Sequence, residues 1–271
     1  LRIYPVLIVA MIISAVAALI DGTLYDRFLL SEALGNLFAF QDISGLKPGV
    51  SIHPFLGNSP LWSLSYEIVF YVLFPAVFAA WNFMPRLTSH FVGLICCTAY
   101  AYYLFIPNHF GLVLSYFILW WVGACAAAFF LSEKRNRSTI MVPAGWLMGM
   151  VFLSTAAFLK YEYAGLGVFP MLMFRHFSVA LAILVLAFII PFRGFAAKLV
   201  PASRSLTFAS SITYGIYAFH YPIMIQPETT ESYQAIFVAF VFTVFIAWAI
   251  DRKLCSFLKK RVLGRNIIKP K

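Results

Sequence analysis

Charge is the scarcest resource of this 271-residue chain: only 11% of its residues are Asp, Glu, Lys or Arg. That is too little to coat a soluble surface of this size. Acidic residues are scarcest, ten against twenty Lys and Arg, so the net charge is +10. No basic stripe is interleaved with aromatics, so the charge does not point to nucleic acid. No glycine-rich phosphate loop and no nucleophile elbow occur, which argues against a motor ATPase and a soluble-type hydrolase. The four cysteines, Cys96, Cys97, Cys125 and Cys255, lack metal-ligand spacing and are expected to be small buried hydrophobes. No metal and no bound cofactor are expected. Internal repeats and low-complexity segments are also absent.

What is present is apolar. Hydrophobic residues make up 62% of the chain and its mean hydropathy is +0.88. A membrane helix needs about 20 mostly apolar residues. Eight such runs can be marked, at 3–20, 62–81, 90–106, 111–131, 140–160, 173–192, 209–226 and 233–252. A further apolar stretch, 28–40, is too short to span and is expected to lie in the interface or re-enter the bundle. The expected fold is an all-α integral membrane bundle of about eight transmembrane helices, forming one domain over residues 1–271.

Lys and Arg in the connections set the orientation. Arg2, Arg86, Lys134, Arg135, Arg137, Arg193, Lys198, Arg204 and the tail from Arg252 all fall on one side of eight alternating helices. That side is expected to be cytoplasmic. Asp21, Asp26, Asp42, Glu162, Glu228 and Glu231 fall on the other. The longest connection, 21–61, is therefore placed outside, and its length suggests a function of its own.

Ionisable side chains within spans are costly and mark functional sites by default. Glu67 is the clearest, in Trp62-Ser63-Leu64-Ser65-Tyr66-Glu67. Ser63, Glu67 and Tyr71 recur at i, i+4, i+8 and share one helical face. Two readings of Glu67 stay open: a carboxylate that orients or deprotonates a partner, or a structural one tied to an Arg or His of another helix. Thr213, Tyr217 and His220 share a face of a later run. His220 can accept a proton near neutral pH or serve as a packing partner. Arg175 and His176 open the sixth run and could hold an anionic group, pair with Glu67 or anchor the interface. Arg2 could bind a phosphate-bearing donor or serve as a positive-inside anchor. Asp42, Lys47 and His53 read as solvated loop residues.

Three segments resemble the membrane acyltransferase family 3, the type that O-acetylates bacterial exopolysaccharide, O-antigen and Nod-factor sugars. Arg2-Ile3-Tyr4-Pro5 resembles the second arginine of the family's cytoplasmic R-x-x-R pattern and the start of its third helix. Leu61 to Glu67, continuing into Phe70-Tyr71 and Phe74-Pro75, resembles its most specific motif. Ile212 to Tyr217, followed by His220-Tyr221-Pro222, resembles its late-helix motif. Asp251 stands where many members carry a Glu followed soon by Pro. The resemblance implies a ten-helix fold of which this chain holds the third to tenth. The family's first-helix histidine, thought to be catalytic, is then expected upstream, and residues 1–271 alone are expected to be inactive.

The implied reaction is transfer of an acyl group, acetyl first, from acyl-CoA to a hydroxyl of a cell-surface or exported glycan. Acetyl-CoA is the expected donor; a polysaccharide or lipid-linked sugar is the acceptor, and membrane lipid surrounds both. The expected catalytic residues are Glu67 and His220. The expected substrate-binding residues are Arg2, Trp62, Ser63, Ser65, Arg175 and Tyr217. The expected location is the bacterial inner membrane. The alternative is a transporter or flippase for lipid-linked glycans, whose mark is paired half-helices broken by Gly or Pro in two symmetric halves; the sequence lacks that mark. A non-catalytic membrane subunit is the third reading.

Reporter fusions at Lys271 and near Lys47 are expected to give opposite signals, cytoplasmic for the tail and external for the loop. Matching signals from the two positions would break the helix count.

Overall fold

A computed structural model describes residues 3–132, 136–189, 203–226 and 232–263. Arg2, Lys134, Arg135, Arg193, Lys198, Glu228, Glu231 and the tail beyond residue 263 lie outside the described residues. Among the described residues the chain is helical, with a single isolated β-bridge. Its helices are α1 (Ile3–Ile20), α2 (Leu24–Arg27), α3 (Leu30–Leu37), α4 (Trp62–Phe83), α5 (Pro85–Phe105), α6 (His109–Leu131), α7 (Ser138–Ala156), α8 (Met171–Ile189), α9 (Ser203–His220), α10 (Tyr233–Trp248) and α11 (Cys255–Leu263).

Seven of the described helices are long and apolar enough to cross a membrane, so this is a multi-pass membrane protein. Six of them correspond to expected runs in order, from α1 and α4 to α8, and the seventh is α10 with its continuation to Leu258. The remaining expected run, 209–226, is helical but is not among the seven. Ser210, Ser211, Thr213, Tyr214, Tyr217 and His220 dilute its apolar content. The 28–40 stretch holds only α3, eight residues long, about 12 Å at 1.5 Å per residue and far short of a bilayer.

Two compact units divide the chain. The first is Leu1–Gln41, Ile52–Leu64 and Ala196–Lys271; the second is Asp42–Ser51 and Ser65–Phe195. In the first unit, α1 packs on α9, and α9 on α10. The buried face of α1 carries Ala10, Ser14, Ala17 and Ala18, small residues that allow close helix approach in lipid. Ser14 donates to its own helix at Ala10 O and accepts from Asn58 Nδ2 at 3.1 Å. The same amide group reaches Ala218 O on α9 at 3.2 Å, so one buried side chain joins α1 to α9. Asn36 does similar work for α3: its amide donates to Glu32 O and His53 O and accepts from Phe55 N. A π segment, Tyr221–Ile225, follows α9, and another, Ala249–Leu254, joins α10 to α11.

In the second unit, α5 packs on α6 and α7, α6 on α7, and α7 on α8. Gly93 makes room for an indole: a Cβ there would lie 2.0 Å from Trp146 Cγ. Helix α4 meets α6 through rings, with Phe70 against Phe117 at 5.3 Å and Phe74 against Trp120 at 4.6 Å between centroids.

The ten residues Asp42–Ser51 also belong to this unit. Their base is pinched by a parallel bridge between Gln41 and Ile52. Leu46 O accepts from Phe169 N at 2.8 Å, and Pro48 O accepts from the Tyr103 hydroxyl at 2.8 Å. Pro48-Gly49 is the pairing a type II turn favours, and Gly49 has φ +80°. A Cβ on Gly49 would sit 2.3 Å from the backbone carbonyl carbon of Pro107.

Gly49→Ala is therefore expected to destabilise the protein by more than about 1 kcal/mol, since it combines a left-handed φ with a backbone clash. Gly45→Ala, where a Cβ meets nothing within 4 Å, is the control. Thermal melts of the two purified proteins in detergent check this; equal melting temperatures would refute the packing described for this loop.

Candidate functional site

The strongest motif occupies the entry to α4. A 3-10 turn, Ser59–Leu61, with Pro60 at its start leads into Trp62. Proline suits this place because the first helical turn has no use for its missing N–H. Leu61 and Leu64 are buried outright and hold the turn in the core. Gln41 Nε2 donates to Leu61 O at 2.9 Å. Ser63 Oγ donates to the Tyr217 hydroxyl at 3.1 Å, so two of the expected substrate-binding residues meet within the first unit. Trp62 is half-buried, Ser65 is buried, and Glu67 is half-buried one turn beyond Ser63.

His220 ends α9, with its ring 6.2 Å from that of Tyr217 between centroids. Its Nδ1 lies 2.8 Å from Tyr217 O and 3.2 Å from Ile216 O. Carbonyl oxygens only accept, so Nδ1 carries the hydrogen and Nε2 of the neutral ring keeps the lone pair. The helix thus fixes which nitrogen can act as a base.

Asp251, noted in the sequence only as standing where many family members carry a Glu, is a buried carboxylate. It lies in the π segment after α10 and accepts from Gly215 N at 2.8 Å. A Cβ at residue 215 would come within 2.8 Å of that oxygen and 3.0 Å of Ala247. Glycine in the late-helix motif therefore allows α9 and α10 to approach and to share this bond.

The largest correction concerns Asp42 and Lys47. Expected in solvent, they are 0% and 2% exposed and form an ion pair of 2.6 Å. Asp42 Oδ1 also accepts from Ile43 N at 2.7 Å, while Oδ2 accepts from the Tyr66 hydroxyl at 2.5 Å. Lys47 Nζ donates to the same hydroxyl at 3.3 Å. Burial pulls the Lys47 ammonium below the usual lysine range, and the Asp42 carboxylate opposes that shift. The Tyr66 ring stands edge-on to Tyr116 at 5.3 Å, and the Tyr116 hydroxyl is hydrogen-bonded to His176 Nδ1 at 2.8 Å. Loops normally run over the surface, and that generalisation misplaced the pair. The signal was Tyr66 itself, a phenol inside an apolar run, which needs a polar partner once buried.

His53 is exposed, as expected. Arg175 is exposed at the start of the second turn of α8, while its neighbour His176 turns to Tyr116. Arg2 lies outside the described residues. Among the described residues no three His, Cys, Asp or Glu side chains gather into a metal-binding group.

The acyltransferase domain of acyltransferase family 3 matches residues 1–252 of the chain. The chain belongs to that family. No curated protein and no solved structure matches it.

Removing one member of a buried ion pair leaves the other charge uncompensated, which costs about 3–5 kcal/mol. Lys47→Met alone is expected to lower protein yield and melting temperature accordingly. Asp42→Asn/Lys47→Met, which removes both charges, is expected to restore them. Thermal melts in detergent compare the two; a Lys47→Met protein as stable as the wild type would contradict the buried pair.

Proposed function

We propose that this family member transfers an acyl group, acetyl first, from acyl-CoA to a hydroxyl of a cell-surface or exported glycan at the bacterial cell membrane. The observation that carries the reading is the family match over residues 1–252. Such a transfer joins the hydroxyl oxygen to the thioester carbonyl carbon, breaks the C–S bond and releases the CoA thiolate. The hydroxyl proton must go to a base within hydrogen-bond reach.

Two groups of this chain suit that proton. His220 has its Nδ1 hydrogen committed to backbone carbonyls, so its lone pair is on Nε2. Glu67 is a half-buried carboxylate within a span, where an ionisable group is retained for function. Ser63, Tyr217, Trp62 and Ser65 offer hydroxyls and a ring face of the kind that bind sugars. Arg175 and Arg2 offer guanidinium groups that suit phosphate. The basic tail favours a cytoplasmic C-terminus by the positive-inside rule; with α9 counted as an eighth crossing, Arg2 falls on the same side, where CoA thioesters are found.

The test is labelled acetyl transfer from acetyl-CoA to the isolated glycan, with the full-length protein in a host lacking its own enzyme. Glu67→Gln keeps the size and removes the charge. It is expected to lower transfer by at least about 100-fold, the low end for a lost acid–base group, with membrane expression near normal. Full activity in well-expressed Glu67→Gln protein would remove Glu67 from catalysis. No label from acetyl-CoA in any glycan, with the wild-type protein well expressed, would overturn the reading itself.

A further inference from the structure

A buried ion pair is a poor source of stability, because desolvation offsets most of its attraction. Its best-attested use is to fix one arrangement among several. Asp42 and Lys47 therefore call for a structural choice that they settle. Both grip the hydroxyl of Tyr66, in the residue directly before Glu67. They stand on a frame that is itself anchored, at Leu46 to Phe169, at Pro48 to Tyr103, and at Gly49 against Pro107 and Asn108. Further along, α4 meets α6 ring against ring, from Phe70, Tyr71 and Phe74 to Phe117 and Trp120. Rings can slide over one another with little loss, whereas a hydrogen-bonded phenol cannot.

We propose that Asp42 and Lys47 are positioning residues: by holding the Tyr66 hydroxyl they fix the rotation of α4 about its axis and so aim the adjacent Glu67 carboxylate. The inference rests on the reading of Glu67 as catalytic. Side-chain atoms of a helix lie about 5–6 Å from its axis, so a rotation of about 20° moves a carboxylate by about 2 Å. A displacement of about 1 Å at a reacting group can cost on the order of 100-fold in rate. Loss of the grip would therefore act on kcat, through Glu67, while leaving donor and acceptor binding in place.

Three variants of the full-length protein separate the grip from the charges. Tyr66→Phe keeps the ring and removes the hydroxyl. Asp42→Leu/Lys47→Met removes the charges and the acceptor together. Asp42→Asn/Lys47→Met removes the charges but leaves an amide oxygen that accepts the phenol. The first two are expected to lower kcat for acetyl transfer by at least about 10-fold with KM for acetyl-CoA unchanged. The third is expected to stay within about 3-fold of the wild type, since the phenol keeps its partner. Melting temperatures in detergent accompany each measurement. Wild-type kcat in folded Tyr66→Phe would overturn the proposal, and so would equal losses in the two double variants. A Tyr66→Phe protein that fails to fold would also overturn it, by making the hydroxyl a stability element. Glu67→Gln runs alongside: if that variant is fully active, the reading of Glu67 has failed. If it is inactive while Tyr66→Phe is normal, the positioning role alone has failed.

Discussion

Inside hydrocarbon a polar group has no water to turn to, and this constraint shapes nearly every feature described above. It forces each span into a helix that satisfies its own backbone. It also favours polar side chains within the protein that find a partner, as Ser14, Asn58 and Tyr66 do. The spans supply little apolar drive toward one another, because lipid is as apolar as leucine. What joins the helices is therefore shape and hydrogen bonding. The first unit has the small-residue face of α1 and the bridging amide of Asn58. It also has the bond from Gly215 to Asp251. The second unit has Gly93 under Trp146, whose indole donates to His90 Nδ1 at 3.1 Å.

The same constraint explains which parts of the fold can be read from sequence. A run such as 111–131 is apolar all round, so length alone identifies a span, and α6 follows it closely. Run 209–226 is different. Its serines, tyrosines and histidine suit a helix with polar work to do, and mean apolarity underrates it. The helix forms nonetheless, with Asn58 and Asp251 bonding to its backbone. Periodicity reports the faces of a helix but not what meets them.

The candidate site was legible to the extent that its residues were local. Trp62 to Glu67 announced themselves by placing a carboxylate and two serines in an apolar run. The i, i+3 spacing of Tyr217 and His220 gave their common face, and the structure adds which ring nitrogen keeps the lone pair. Asp42 and Lys47 could not be found in this way. Their partner is 24 residues from Asp42 along the chain, and loop composition argued for solvent. A salt bridge of that kind is set by the path of the loop, through the Gln41–Ile52 bridge and the turn at Gly49, rather than by any pattern in its own residues.

Within one and a half turns, the motif at the start of α4 assigns a different task to each position. Leu61 and Leu64 fill the core. Ser63 takes the Tyr217 hydroxyl, and Tyr66 takes Asp42 and Lys47. Successive residues point about 100° apart around a helix, so these tasks cannot be exchanged between neighbours. Shifting the sequence by one place would present a tryptophan to Tyr217 and a serine to the ion pair, or in the other direction a leucine and a glutamate. Within the second unit, a helix whose Tyr66 hydroxyl is held by Asp42 and Lys47 has one acceptable rotation. That fixed rotation is what the role proposed for Glu67 requires, because a carboxylate's reach is short and its partner must come within about 3 Å.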